Sequence, residues 1–348
     1  MQKKLLAFAY LLVVSQLALS SGDGSDKAQS KPEDIAAANR KLGRGINLGN
    51  ALDAPNEGEW GVTLKPEYFK AIKEAGFDTV RLPVNWATHA KADSPYTLDT
   101  KFAKRVDWAV DQALANHLNI IVNIHHYRAM DSDPDKNVPR LIGLWEQIAD
   151  RYKDKPAEVY FELLNEPNGK LTDAKWNAIV PQVLKTVRKT NPTRPIIVGP
   201  GSWNAIRGLD SLELPADDKN LIVTVHSYDP FEFTHQGASW VKGAEKWKGK
   251  KWSGSDAEKA AIQKQFDKAA TWSKKHDRPI FLGEFGALET ADMESRARWT
   301  RFMTEEAEKH GFSWAYWEFC SGFGAYDPKA NVWHKPLLSA LTDSPNRN

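Results

Sequence analysis

Short continuous apolar runs alternate along the chain with longer stretches in which apolar residues recur every third or fourth position. The first pattern suits strands covered on both faces, and the second suits amphipathic helices. Read this way, GRGINLGN (43–50), TVRLPVNW (79–86), NIIVNIHHY (119–127) and VYFELLNEP (159–167) are strands. So are PIIVGP (195–200), LIVTVHSYDP (221–230), PIFLGEFG (279–286) and SWAYWEFC (313–320). Helical periodicity falls at 65–76, 101–117, 138–153, 173–190, 256–276, 292–310 and, briefly, 335–341. Pro66 suits a first helical turn and Gly76 a stop. Strands and helices in this order and number predict an α/β fold, a single closed (β/α)8 TIM barrel. An open doubly wound sheet is the competing architecture, but GINLGN after the first strand does not fit its Gly-rich fingerprint.

Length and composition agree with one large domain. The chain has 348 residues, 41% of them apolar and 26% charged, enough to bury a sizeable core. Residues 1–20 resemble an export signal: Lys3 and Lys4 precede an apolar run from Leu5 to Leu19, and Ala18-Leu19-Ser20 supplies a small-x-small cleavage site. The run is short for a membrane anchor and is interrupted by Ser15 and Gln16. No Cys follows the cleavage point, so a lipoprotein signal does not fit. The expectation is a secreted or periplasmic protein, with a polar flexible spacer at 21–31 and the (β/α)8 domain at 32–348. Removing the signal reduces 47 basic and 45 acidic residues to 45 of each, because it carries two lysines and no acid. A neutral chain offers no footing for nucleic acid. Cys320 is the one cysteine, so no internal disulfide forms, and its place after an apolar strand suits a small buried hydrophobe.

In a barrel, polar residues at the carboxyl ends of strands converge on one pocket. Here those positions hold Asn50, Arg81, His125, His126, Asn165, Glu166, His226, Tyr228, Glu284 and Trp317. One such residue is usually a turn cap or a satisfied core polar group. Ten at equivalent places make a site. Alternation puts Glu162, Leu164 and Glu166 on one face. Glu166 and Glu284, 118 residues apart, each stand at the mouth of an apolar strand. Two carboxylates across a pocket suit glycoside hydrolysis, where one protonates the leaving oxygen and the other supplies electrons at the anomeric carbon. Their environments must push the two pKa values apart. Glu166 has no adjacent base in sequence and suits the acid. Glu284 needs a cation to stay ionised, and Arg81 is the natural partner.

His125 and His126 invite a metal reading. Adjacent strand residues point to opposite faces, and no second His/Asp cluster accompanies them, so no metal or other cofactor is expected. Hydrogen bonding to sugar hydroxyls is the better use. Of 14 tryptophans, Trp108, Trp145, Trp176, Trp272 and Trp299 lie on helical faces and belong to packing. Trp60, Trp240, Trp247 and Trp252 fall in loops, where an indole can carry the apolar face of a sugar ring. Trp247 and Trp252 weigh equally as barrel cover. Trp240 follows FEFTHQG, whose loop-borne His235 strengthens a site role for both.

Together, GINLGNALDAPNEGEWG, TVRLPVNW, NIHHY, LNEP, VHSYDPFEFTHQG, GEFG and AYWEFCSGFG resemble glycoside hydrolase family 5, over about Ile35 to Leu341. The likeness is to its bacterial endoglucanases that also accept mannans. It implies a retaining double displacement with Glu166 as acid/base and Glu284 as nucleophile. It implies a shared set of Arg81, His125, Asn165, His226, Tyr228 and Trp317 around them, with Tyr228 holding Glu284 and Asn165 on the 2-hydroxyl. The closer subgroup adds Asn50, His126, His235, Trp240 and Phe323 as sugar contacts. Asp53 departs from the pattern, since relatives tend to carry Glu there and the shorter arm weakens a hydroxyl contact. The expected partner is a β-1,4-linked glucan, with mannan, or both, as the alternative, met by a monomer with no membrane role. A carbohydrate-binding protein without catalysis is the remaining class, and both glutamates speak against it.

Overall fold

The computed structural model describes residues 34–343. The export signal expected at 1–20, the spacer at 21–31, and residues 32–33 and 344–348 of the domain expected at 32–348 lie outside the described residues.

Eight parallel strands, β1 Arg44–Asn47, β2 Thr79–Leu82, β3 Asn119–Asn123, β4 Val159–Glu162, β5 Ile196–Val198, β6 Leu221–His226, β7 Ile280–Glu284 and β8 Ser313–Tyr316, pair in chain order and close β8 onto β1. Around them lie α1 Ile35–Leu42, α2 Pro66–Glu74, α3 Thr100–Ala115, α4 Arg128–Ser132, α5 Pro134–Arg151 and α6 Asp173–Arg188. They continue with α7 Phe231–Thr234, α8 Asp256–His276, α9 Met293–Lys309 and α10 Lys335–Thr342. The closed (β/α)8 barrel expected from the pattern is therefore the observed fold. One crossover departs from it: between β5 and β6 the chain makes only a 3-10 turn, Ile206–Ser211. A small antiparallel ribbon, β9 Tyr326–Asp327 with β10 Val332–Trp333, follows β8.

Every residue of β1 to β8 except Asn119 is buried, as expected for strands covered on both faces. Ile121, Tyr160, Ile197, Ile222, Phe281 and Ala315 cluster with Ala38 and Leu42 of α1, so α1 closes the amino end of the barrel. Two residues further along β3, β4 and β6 the side chains turn polar, at Asn123, Glu162 and Thr224, and Asn47 of β1 and Arg81 of β2 join them, all fully buried. This layer separates an apolar floor from the open carboxyl end. At the amino end, Arg194 anchors the turn into β5. Its guanidinium donates to the carbonyls of Tyr152, Lys155, Pro156 and Val159 at 2.7–3.0 Å. Tyr152 and Pro156 also accept the backbone amides of Lys155 and Val159 at 3.1 and 3.2 Å, so Arg194 adds donors to a cluster of carbonyls at the end of α5 and the start of β4.

Candidate active site

The strands end earlier than the apolar pattern suggests. β1 stops at Asn47, β3 at Asn123 and β4 at Glu162. Beyond those points the backbone leaves the extended form, and Asn50, His126 and Glu166 adopt φ of 62°, 46° and 45°. Non-glycine residues rarely hold such angles, and they gather where function over-determines the backbone. Strand alternation therefore does not govern these residues. Glu162 and Glu166 are not equivalent: Glu162 is fully buried in the barrel, while 27% of the Glu166 side chain is open to the groove.

Arg81 organises the polar layer. Its Nε and Nη2 donate to the two carboxylate oxygens of Glu162 at 2.6 and 2.7 Å. Nη1 donates to Asn47 Oδ1 at 2.8 Å and to Glu284 Oε1 at 2.7 Å, and Nη2 donates to Asn165 Oδ1 at 2.7 Å. The sequence-based pairing of Arg81 with Glu284 is thus observed, but Glu162 shares the cation. The other Glu284 oxygen accepts from the Tyr228 hydroxyl at 2.8 Å. A register shift in β6 between Val225 and His226 turns the His226 ring toward the two glutamates. His226 Nδ1 lies 2.8 Å from Glu166 Oε1 and 3.6 Å from Glu284 Oε2. One carboxylate oxygen from each of Glu166 and Glu284 and one ring nitrogen of His226 lie within 4.8 Å of one another.

Charge follows from these contacts. Burial holds Glu166 protonated up to about 7, and the Glu162 carboxylate adds to the effect while Arg81 opposes it. Burial also raises Glu284, with the Glu166 charge adding to it, while Arg81 and the Tyr228 hydroxyl oppose the rise. His226 is held neutral, its pKa lowered to about 4 by burial. A protonated Glu166 donates to His226 Nδ1, and an ionised one accepts from it. One carboxyl is thus set to carry a proton near neutrality, and the other is held by two donors.

A groove of about 1510 Å³ opens over this pair. It is lined by Asn50, Asp53, His125, His126, Asn165, Glu166, His226, Tyr228, His235, Trp240, Glu284, Trp317 and Phe323, so thirteen of the fourteen expected site residues meet there. Arg81 is the fourteenth and lies beneath the floor, fully buried. Trp317 lies parallel to His125, with ring centres 5.8 Å apart. Gly49 makes room for it, since a Cβ at that position would stand 2.7 Å from the indole. His235 stacks on Phe231 at 4.1 Å and meets Tyr228 edge-on at 5.0 Å.

Several expectations need correction. His125 and His126 do not diverge, because they follow the end of β3: their rings stand 4.5 Å apart. Asp53 joins them, with ligand atoms of all three within 4.8 Å of one another, so a His/Asp cluster exists where none was expected. Asp53 lines the groove as expected. Its carboxylate is turned into the backbone, accepting from the amides of Ala51 at 2.8 Å and Asn50 at 3.1 Å, with His126 Nε2 at 3.7 Å. Trp252 is fully buried in the core and Trp247 lies behind Phe231 outside the groove lining, so neither is a platform. Trp60 does line the groove, edge-on to His126 at 5.4 Å. Trp203, 52% exposed on the β5–β6 loop, lines it too and was not anticipated. The signal was an aromatic in a Gly-rich loop, GPGSWN, at the one strand end that had supplied no candidate.

An eight-stranded barrel whose β4 and β7 each deliver a glutamate to one groove belongs to the class of barrel glycosidases. The model of the cellulase family, glycosyl hydrolase family 5, matches residues 43–322, and the chain belongs to that family. Endoglucanase H of Acetivibrio thermocellus is 38% identical over 305 residues, covering 87% of this chain and 32% of that protein. Cellulase/esterase CelE of the same organism is 30% identical, covering 90% of this chain and 40% of that protein. The chain thus spans less than half the length of these two relatives. Among solved structures, Thermotoga maritima Cel5A in complex with mannotriose superposes with a TM-score of 0.87 at 51% identity, covering 88% of this chain and all of that one. Cellulose synthase subunit Z of Clostridioides difficile gives 0.84 at 40% identity, covering 86% and 99%. Among the described residues no helix is long and apolar enough to cross a membrane.

Proposed function

We propose that this chain is a retaining, endo-acting β-1,4-glucanase in which Glu284 is the nucleophile and Glu166 the acid/base. The observation that carries the reading is the Glu166–His226–Glu284 cluster, with atoms of all three within 4.8 Å. Carboxyl groups roughly 5–5.5 Å apart leave no room for a water between them and the sugar, which selects double displacement. In the first step Glu284 attacks the anomeric carbon while Glu166 gives its proton to the leaving oxygen. In the second, Glu166 takes a proton from water, which breaks the glycosyl–Glu284 bond. Arg81 and Tyr228 hold both Glu284 oxygens, so attack starts from a fixed carboxylate. Asn165, anchored by Arg81 and open to the groove, suits the 2-hydroxyl. The exposed indoles of Trp60, Trp203 and Trp240 suit successive pyranose faces of a polymer.

A mannanase or dual activity is the second reading, favoured by the mannotriose complex of the 51% identical Thermotoga protein. Rates of reducing-end release from carboxymethyl-cellulose and glucomannan separate the two: a higher rate on the glucan is expected, and release from mannan alone overturns the glucanase reading. Export through the segment at 1–20 is part of the proposal; N-terminal sequencing of protein recovered outside the cytoplasm should begin after Ser20.

A further inference from the structure

Asn123, the last residue of β3, is fully buried in the polar layer, and the proposed mechanism does not use it. Val84, just past β2, fixes which way its side chain faces. The Val84 amide donates to Asn123 Oδ1 at 3.1 Å, and the Val84 carbonyl accepts from the His125 amide at 2.8 Å. A backbone N–H can only donate, so the side-chain atom facing it is the oxygen. The Asn123 amino group is then left facing His125 Nδ1, at 3.0 Å. An amide amino group can only donate too, so Nδ1 must offer its lone pair. Turning the imidazole over would put a carbon against that buried amino group and leave it unpaired.

Burial holds the His125 ring neutral, with Arg81 adding to the effect. A neutral imidazole with a bare Nδ1 carries its proton on Nε2. Nδ1 is turned inward, so Nε2 is the nitrogen on the side of the groove that His125 lines. Trp317 lies parallel to the ring and His126 stands edge-on to it, which limits its swing. His226 is the contrast. Asn204 stands 3.5 Å from its Nε2, and the Asn204 side-chain oxygen has no partner among the described residues. No fixed donor holds that amide one way, so the His226 proton can follow Glu166 at Nδ1. The lock on His125 also bears on the Asp53–His125–His126 cluster. With Nδ1 facing an amino group and Nε2 protonated, neither nitrogen of His125 is open to a metal.

We propose that Asn123 is a positioning residue that fixes His125 in the tautomer protonated at Nε2, so that the groove meets a hydrogen-bond donor there rather than an acceptor. The bound hydroxyl accepts from His125 and keeps its own proton for another partner. The identity of the sugar rests on the glucanase reading; the lock itself does not.

The test is the nitrogen NMR spectrum of the His125 ring in the full chain carrying Glu166→Gln, which halts turnover. Long-range correlations from the carbon-bound ring protons separate a protonated nitrogen from a bare one, and the signals lost in His125→Gln assign the ring. At pH 9 Nε2 should be protonated and Nδ1 bare; the reverse overturns the proposal. Adding Asn123→Asp keeps an acceptor for Val84 and puts a second one against Nδ1. The proton should move to Nδ1, and the Kd for cellotriose, read by tryptophan fluorescence, should rise about five-fold, the worth of one hydrogen bond. An unchanged tautomer in that variant overturns the proposal, as does a moved proton with an unchanged Kd. If the variant does not fold, the parent spectrum alone decides. Failure of the parent to bind any glucan oligosaccharide overturns the glucanase reading instead, and the ring spectrum still decides the lock.

Discussion

Two buried arginines, one at each end of the barrel, do opposite work. Arg194 at the amino end meets backbone carbonyls and the Asn191 side chain, and among the described residues no carboxylate bonds to it. Arg81 near the carboxyl end meets two carboxylates and two side-chain amides, and none of those bonds is to the backbone. Burial lowers the pKa of Arg194 to about 10, since no anion compensates, while Glu162 and Glu284 hold Arg81 firmly protonated. One cation ties α5 and the turns into β4 and β5 together. The other fixes where a nucleophile points. The same side chain therefore reports stability at one end and chemistry at the other, as barrel enzymes divide those tasks.

The largest effect should come from the anion that Arg81 holds. Glu284→Gln should lower kcat by about 1,000-fold or more with little change in melting temperature, since the amide fits the same space. Retained turnover would remove Glu284 from its role. Next is the arginine pair itself. Arg81→Lys cannot keep the fork on Glu162 while reaching Glu284 and Asn165, so kcat/KM should drop about 100-fold. Arg194→Met should leave kcat within about two-fold and cost about 3 kcal/mol in urea unfolding, from the hydrogen bonds lost at buried carbonyls. A loss of kcat at constant stability in the Arg194 variant would break the comparison.

Smaller effects lie in pH. Proton donation by Glu166 sets the alkaline limb of kcat/KM near its pKa of about 7. Glu162→Gln removes a neighbouring negative charge, which favours ionised Glu166, so that limb should move to lower pH. A limb that stays or moves upward contradicts the assignment. The smallest effect concerns Glu318. Its pKa is about 8 folded against 4.5 as a free side chain, so between those values only the unfolded chain releases the proton. Its contribution is full below about 4.5 and declines as pH rises toward 8. Glu318→Gln removes that decline, so the stability of the variant relative to the parent should improve across this window and level off above it.

Much of this was legible in the sequence. The apolar runs give β1 to β8 in order, because strands covered on both faces cannot hide their composition. The Arg81–Glu284 pair was legible because a buried carboxylate needs a cation and few were placed to supply one. What the chain does after each strand was not. Asn50, His126 and Glu166 take left-handed backbone angles that no hydrophobic period encodes, so Glu162 and Glu166 fell on one notional face and His125 and His126 on two. Tryptophan roles failed for a related reason: Trp252 and Trp203 both sit in loops, and only tertiary packing buries the first and exposes the second.

The most direct test is the configuration of the first product. Cellotetraose hydrolysed in an NMR tube should show the β-anomer at the new reducing end before mutarotation. An initial α-anomer would mean that water attacks directly, and the role assigned to Glu284 would be contradicted.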